Sequence, residues 1–553
     1  MGLESLRYTL GRLRGMARPP VTVTEPPAGV RFDRDVEVTV RDGTILRVNV
    51  FRPKGDEPVP VIMCAHPYGK DKLPKRRRFG YRFDPQYRLL RQPGPVSFSA
   101  WTSWEAPDPA FWVPRGYAVV NCDLRGCGSS DGEGTLLSRQ EGEDYHDLIE
   151  WAGTREWSSG KVGLLGVSYL AISQYRAAAE RPPHLAAICP WEGFTDAYRD
   201  LMRPGGIRED GFVRMWSRGV RNQRIGPDVR AEQLRHELFD HSWREFVPDL
   251  ERIEVPMLVC ASFSDHNLHS RGSFRAFDRV GSRQRWVYTH RGGKWVTFYS
   301  PPAKAAQKRF LDHYLKGEEN GMAETPPVRL EVREDRDTVH AVHEEDGWPI
   351  PRTEWMELHL GAGRRLTREP AAEAGSAAFD TDDRAGTSFV HTFDSDTELS
   401  GPIALRLHLD VRGGADDVHL FAAIDKLRGG RRVPFEGSYG FGRDAVTSGW
   451  LKASHRELDP ARSRPFEPVH RHADRLSLAP GEIVAVEIAL VASSTLFRRG
   501  EQLRLTVRGR WPWRLNLAGQ IPAKYEPSPR GTCVLHFGGR YDARLLVPVI
   551  PVG

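Results

Sequence analysis

Cysteine is scarce in this chain, with six in 553 residues. Cys64, Cys122, Cys127, Cys189, Cys260 and Cys533 each stand alone in an apolar stretch, and no C-x-x-C spacing occurs. That pattern excludes a disulfide framework and a cysteine-built metal or redox pair, and reads as reduced core thiols. Long hydrophobic runs are also lacking: no stretch approaches the ~20 apolar residues of a membrane span. Met1 to Arg18 has arginines breaking up short apolar groups, with neither an apolar h-region nor a small-residue cleavage site. The expectation is a cytoplasmic protein with no membrane partner. No internal repeat is found, and charge of one sign is not in excess over most of the chain, 79 Lys and Arg standing against 73 Asp and Glu. The surplus of six is concentrated in one segment, where Lys70, Lys72, Lys75, Arg76, Arg77, Arg78 and Arg82 face only Asp71. A nucleic-acid footprint needs basic residues spread over a face or a helix, so one loop excludes that class of partner.

What is present is a globular composition, 39% hydrophobic and 27% charged. From about Val36 to Lys316, short β-branched runs alternate with helical patterns, the sequence form of an α/β sheet. Val59 to Ala65, Tyr117 to Cys122, Val162 to Leu165, Val255 to Ala261 and Gln284 to Thr289 read as strands apolar enough to be buried on both faces. Tyr145, Leu148, Ile149 and Ala152 recur at helical spacing between Glu141 and Gly153. Between Phe194 and Asp249 the pattern becomes charged, aromatic-rich and helical, which reads as a cap inserted over the sheet. After Gly317 strand-length units follow one another: Val328 to Val332, Trp355 to Leu360, Ile403 to Leu409, Val418 to Ile424, Ile483 to Leu490 and Leu503 to Val507. Gly, Pro and Asp turns separate them, and the expectation is an all-β module folded as a two-sheet jelly roll.

The most informative stretch is Lys161-Val-Gly-Leu-Leu-Gly-Val-Ser-Tyr-Leu-Ala171, followed by a helical pattern through Ala179 and stopped by Pro182 and Pro183. A serine between an apolar strand and a helix has the setting of a nucleophile elbow, in which a tight turn holds the hydroxyl clear of its backbone. The helix amino terminus then favours developing negative charge. Ser168 is the candidate nucleophile, and the small Gly166 lets the turn close. The second glycine of the general G-x-S-x-G pattern is replaced by Leu170.

Gly166-Val-Ser-Tyr-Leu-Ala171 resembles the G-x-S-Y-x-G elbow of the cocaine esterase and X-prolyl dipeptidyl peptidase family of α/β-hydrolases. The resemblance extends through Asp123-Leu-Arg-Gly126, Asp144 to Trp151 and Trp157-Ser-Ser-Gly-Lys-Val-Gly163, covers about Val36 to Gly317, and departs at Ala171, where the family has glycine. It implies an α/β-hydrolase domain over 1–192 and 253–325, a helical cap over 193–252, and a carboxy-terminal jelly roll over 326–553. A serine hydroxyl needs an imidazole to take its proton and a carboxylate to orient that imidazole. In α/β-hydrolases these follow in the order Ser, Asp, His. Asp265, just past the strand that ends at Ala261, and His290, at the end of the next, have that order and fall where the resemblance places the acid and the base. His266 and His269 are the rival bases, set aside because both precede a helix and would need the chain to fold back. Asp278, the rival acid, sits mid-helix. Asp123 and Arg125 are expected to pair with each other in the interior.

The oxyanion needs two donors aimed at the developing charge. One is the backbone N–H of Tyr169, the residue after the nucleophile. The other, implied by the resemblance alone, is the hydroxyl of Tyr68 in His66-Pro-Tyr68; His66 itself reads as a packing residue. The expected reaction is hydrolysis of carboxylic esters through an acyl-enzyme, with no cofactor and no metal. Cleavage of X-prolyl or other amides by the same machinery is the second reading, and Glu192, Asp196, Glu209 and Asp210 are the acids that a substrate ammonium would need. A third reading is an inactive carbohydrate-binding protein with Trp511 and Trp513 as its platform. The partner is a small ester or amide, and self-association is left open. The basic segment starts two residues after Tyr68, which places it by the mouth of the site in this reading.

Overall fold

A computed structural model describes residues 3–89, 92–437, 442–513 and 523–551. Among the described residues ten strands build the first sheet: β1 (Val30–Thr39), β2 (Ile45–Pro53), β3 (Val59–His66), β4 (Ala118–Asp123), β5 (Ser158–Val167), β6 (Leu185–Trp191), β7 (Met257–Ser262), β8 (Arg285–His290), β9 (Val328–Arg333) and β10 (Val339–Glu345). Their spatial order is β1-β2-β4-β3-β5-β6-β7-β8-β9-β10, antiparallel at the first two joins and the last and parallel between. Side chains alternate between the two faces, as the pleat requires. Met63, Leu164, Ile188, Val259 and Val287 enter one core, while Ile62, Leu165, Cys189, Cys260 and Trp286 enter the other. Both faces are therefore dry, which is why these strands read as continuous apolar runs. Each fully buried aliphatic side chain contributes about 1.5–3 kcal/mol.

The helices that cover the sheet begin where the sequence offers caps. In α1 (Arg139–Gly153) the Ser138 hydroxyl accepts from the Glu141 amide at 3.3 Å, and Tyr145, Leu148, Ile149 and Ala152 form the buried stripe. Then come α2 (Tyr169–Ala179), the cap helices α3 (Phe212–Val220) and α4 (Val229–Arg235), α5 (Ser270–Arg279), α6 (Lys294–Phe298) and α7 (Pro301–Leu311). In α7 Ser300 caps the first turn and Pro301 opens it, where a missing N–H costs nothing. The segment 193–252 is helical throughout its regular parts and carries no strand. Among the described residues no helix is long and apolar enough to cross a membrane. All six cysteines are buried free thiols.

Beyond β10 the chain is mainly β and antiparallel. Thr397–Arg412 pairs along one edge with Val484–Phe497 and along the other with Arg544–Ile550 and then Thr532–Phe537. A second group runs Thr387–Thr392, Gln502–Arg508, His419–Arg428 and Thr447–Lys452. Leu405, Leu407, Leu409, Leu420, Ile488, Leu505 and Leu535 close one core between them.

The structure departs from the sequence reading in several strands. β1, β2 and β6 are not among the strands that reading names. β9, expected as the first strand of the β module, instead extends the first sheet, Val328 pairing in parallel with Val287. Its far end touches the second module, Arg333 opposite Thr495. One strand therefore belongs to both units, and composition alone does not show to which sheet a strand will bond.

Candidate active site

Ser168 lies between β5 and α2 with φ 60° and ψ −116°, a backbone region that non-glycine residues enter at a cost of about 1–3 kcal/mol. The strain is held by the surroundings. The Ser168 amide donates to the Trp191 carbonyl at 3.1 Å, and its carbonyl accepts from Ala171 and Ile172 at 2.9 and 3.0 Å. A Cβ on Gly166 would stand 2.4 Å from the Leu170 Cβ, so the turn can close only over a hydrogen there. Ala171 is accommodated because its neighbour across the site is Gly193, whose own Cβ would meet that of Ala171 at 2.9 Å.

The imidazole on the nucleophile is His269, its Nε2 lying 2.9 Å from Ser168 Oγ. The expectation of His290 against the serine is not what the structure shows. After β7 the chain does fold back: the Asp265 carbonyl accepts from the amides of Leu268, His269 and Ser270 at 3.3 Å each, and Ser270 Oγ donates to the Ser262 carbonyl at 2.6 Å. His269 thus enters at the head of α5, pointing back over the sheet, with Phe194 stacked on its ring. Its buried Nδ1 has no hydrogen-bond partner among the described residues. Burial, and then the nearby Lys294 ammonium, hold the imidazole well below the usual histidine range, so it is neutral and able to accept a proton.

His290, at the end of β8, serves a different set of groups. Its Nε2 meets Glu192 Oε1 at 3.0 Å, and its Nδ1 accepts from the Gly292 amide at 3.1 Å. With Nδ1 taken by a donor, the ring proton belongs on Nε2, facing the carboxylate. Glu192 also accepts from Ser262 Oγ at 2.7 Å. Burial pushes the Glu192 carboxyl up, but His290 and Lys294 outweigh it and hold it below its ordinary value. The ligand atoms of Glu192, Cys260 and His290 lie within 4.8 Å of one another. Their chemistry does not suit a cation, because the carboxylate is already bonded and burial drives the Cys260 thiol well above its ordinary value, away from the thiolate.

Asp265 is brought into the same neighbourhood, but its carboxylate is 2.7 Å from Lys294 Nζ at the head of α6, an ammonium in place of the expected imidazole of His290. Burial opposes the Lys294 charge, yet the carboxylates of Asp265, Glu192 and Glu105 hold it above its ordinary range. Glu105 also has a positive φ, 65°. Its carbonyl accepts from Val167 of the elbow strand at 3.2 Å, and Trp295 Nε1 donates to its Oε1 at 3.0 Å. Burial pushes its carboxyl up to about 8. Neither Glu105 nor Lys294 was singled out in the sequence. Their signals, a lone acid in Trp104-Glu-Ala106 and a lysine after Gly292-Gly293, are too common to mark a site.

Around the elbow the Tyr68 and Tyr169 rings meet edge to face at 6.1 Å, and Trp216 of the cap stacks on Tyr169 with centroids 6.1 Å apart. Trp216 Nε1 donates to the Tyr68 hydroxyl at 3.4 Å, so the hydroxyl proton remains free to be donated elsewhere. The Tyr169 amide is the first of α2, and leading helix amides have no acceptor within their helix. The Tyr169 hydroxyl donates to Glu141 at 2.5 Å. His66 bonds Asn121 at 2.8 Å, and burial pushes it down to about 4.

Other residues are placed otherwise than expected. Asp123 and Arg125 do not pair: Asp123 accepts from the Lys70 amide at 2.6 Å, while Arg125 holds Asp144 at 2.6 Å and Asp42 at 2.8 Å. Of the basic segment, Lys70 is buried against Asp35 and Asp71, whereas Lys75 to Arg82 form an exposed hairpin tipped by Phe79. The four candidate acids for a substrate ammonium are all engaged. Glu192 is taken as above, Asp196 holds Arg199, Glu209 accepts from the amides of Gly211, Phe212, Val213 and Lys524, and Asp210 holds Arg208 and Arg230. Trp511 packs against Tyr525, Trp450 and Phe421 and is no open platform.

Comparison with known proteins shows the family of the chain. Residues 42–225 match the family described as X-Pro dipeptidyl-peptidase (S15 family), and residues 320–545 match the X-Pro dipeptidyl-peptidase C-terminal non-catalytic domain. A crystal structure of a CocE/NonD family hydrolase from Staphylococcus aureus superposes with a TM-score of 0.90 at 37% identity, covering 97% of this chain and all of that one. The cocaine esterase of a Rhodococcus strain is 26% identical over 93% of this chain and 98% of its own length. A Xaa-Pro dipeptidyl-peptidase assigned as putative in Bacillus cereus is 26% identical over 66% of each chain. An α-amino acid ester hydrolase shares the fold, with a TM-score of 0.70 at 16% identity.

Proposed function

Since the chain belongs to the CocE/NonD family of hydrolases, we propose that it cleaves carboxylic esters through an acyl-enzyme on Ser168, with His269 as the general base. The observation that carries this reading is the 2.9 Å contact between Ser168 Oγ and His269 Nε2 at a strained strand-to-helix turn. His269 takes the hydroxyl proton as Oγ attacks the carbonyl carbon. The oxyanion is held by the Tyr169 N–H and the Tyr68 hydroxyl, and the leaving alcohol receives the proton from His269. Water, deprotonated by the same imidazole, then attacks the acyl-enzyme and releases the acid. Asp265 takes part through Lys294, which it holds at 2.7 Å beside the site; burial and the ammonium keep the imidazole neutral before attack. His290 and Glu192 brace the ends of β8 and β6.

In this reading the strand order and elbow make the first unit an α/β-hydrolase, and the antiparallel second unit is its jelly roll, buttressing the site. Ester cleavage is placed ahead of X-prolyl dipeptide cleavage because the four candidate acids that would grip a substrate ammonium are bound by arginines, amides or His290. The family descriptions favour the peptidase as second reading. The test is labelling by a fluorophosphonate probe, with competition by aryl esters and by proline amides. Label on Ser168 displaced by esters supports the proposal. Label at another residue refutes the mechanism, and displacement by proline amides alone refutes the substrate class.

A further inference from the structure

Away from Ser168, α5 and the second module enclose a cleft of about 120 Å³ lined by Arg199, Arg271, Arg275, Arg462 and Arg464. Three of these guanidiniums have carboxylate partners. Arg199 holds Asp196 at 2.8 Å, Arg275 grips Asp200 at 2.8 and 3.0 Å, and Arg464 grips Asp278 at 3.2 and 2.9 Å. Among the described residues two have no ion-pair partner. Arg271 donates to the Ala489 carbonyl at 3.0 Å and lies over the Trp450 ring at 4.9 Å, with the charges of Asp200 and Glu467 acting on it from beyond ion-pair distance. The Arg462 side chain has no hydrogen bond or ion pair with any described residue. Burial, and then the charges of Arg199 and Arg275, depress its ordinary value, which is the mark of a cation crowded by its own kind. Glu467 also lines the cleft, and burial holds its carboxyl above its ordinary value.

Prolines and aliphatic side chains line the rest of the cleft together with the aromatic rings of Phe274, Trp348, Trp450 and Phe466. Phe274 stacks on Trp348 with centroids 4.5 Å apart, and Phe466 lies on Trp355 at 4.6 Å. Planar rings beside guanidiniums that lack an ion-pair partner match one ligand chemistry, a flat apolar body with one carboxylate, the group that arginine grips bidentately. We propose that this interdomain cleft is a binding site for a small aromatic carboxylate, held by Arg462 and Arg271.

The experiment is calorimetric titration of the full-length protein with benzoate as probe and benzylamine as cationic control. Benzoate is expected to bind saturably and benzylamine not at all. Arg462→Gln should weaken benzoate binding about tenfold or more, equivalent to about 1.4 kcal/mol, and Arg462→Lys should lose less. Turnover of p-nitrophenyl acetate and thermal stability should be unchanged in both variants. The proposal is overturned by an absence of saturable benzoate binding in the low-millimolar range. It is equally overturned by benzoate affinity that is the same in Arg462→Gln as in the native chain, which would place the ligand elsewhere.

Discussion

Two buried histidines compete for the role of proton acceptor, and the structure assigns them opposite consequences on substitution. His269 Nε2 is the acceptor 2.9 Å from Ser168 Oγ. His269→Ala removes the base, and loss of one member of such a unit costs on the order of 10⁶ in kcat, or roughly 8 kcal/mol of transition-state stabilisation. The fold should lose the Phe194 stacking and one hydrogen bond but no ion pair, since the Nδ1 has no partner among the described residues. His290 is the reverse case. It supplies the donor to a fully buried Glu192, so His290→Ala leaves that carboxylate short of its counter-group, a loss of about 3–5 kcal/mol in stability. His290→Gln, which keeps an N–H in reach, should recover much of that and retain most of the turnover. The assay is p-nitrophenyl acetate hydrolysis paired with thermal melting of each variant. The reasoning fails if His269→Ala keeps more than about a hundredth of the native kcat, set against the ~10⁶ expected. It also fails if His290→Gln abolishes turnover while melting like the native protein.

Three further outcomes follow from the same geometry. Ser168→Ala and Ser168→Gly should both be inactive, but the glycine variant should be about 1 kcal/mol the more stable, because only glycine adopts φ 60°, ψ −116° without strain; denaturant titrations giving equal or reversed stabilities would contradict a strained elbow. Because the imidazole must be neutral to accept a proton, and burial with Lys294 holds His269 below its ordinary value, the acid limb of kcat/KM should lie below pH ~6.5. Lys294→Met should move that limb to higher pH, and an unmoved limb would show that the ammonium does not act on His269. Lastly, burial pushes His66 and His470 down to about 4 and His266 and His455 down to about 3. Between those values and the unfolded value near 6.5 the unfolded chain binds more protons, so this contribution is whole above pH ~6.5 and is lost as pH falls toward 4. Melting temperatures that stay level from pH 7 to pH 4 would refute it.

The parts of the fold that were legible are those written by local pattern. β3, β4, β5, β7 and β8 were visible as apolar runs because each is buried on both faces, and α1 because its stripe repeats at helical spacing. The elbow was legible because strand, small residue, serine and helix are contiguous. His269 was not, for a physical reason: its approach to Ser168 depends on a reversal built from one carbonyl, that of Asp265, shared among three amides, and no residue type advertises such sharing. The expectation for Asp265 failed at the same point. Its place after a strand was right, but whether a carboxylate meets an imidazole or an ammonium is decided by α6, which brings Lys294 in from 29 positions later.

The loop that brings His269 to the serine is not held by its own half of the molecule alone. Asn267 donates to the Tyr525 hydroxyl at 2.7 Å, and Arg271, two residues past the imidazole, donates to the Ala489 carbonyl. These anchors leave the ribosome long after the nucleophile and its sheet. During synthesis the growing chain therefore carries a finished serine turn for more than 200 residues before the groups that steady its imidazole exist. With Ser168 and His269 acting as proposed, a chain cut short ahead of Tyr525 would own a nucleophile but lack a fixed base, and competence to turn over esters would arrive only with the second module.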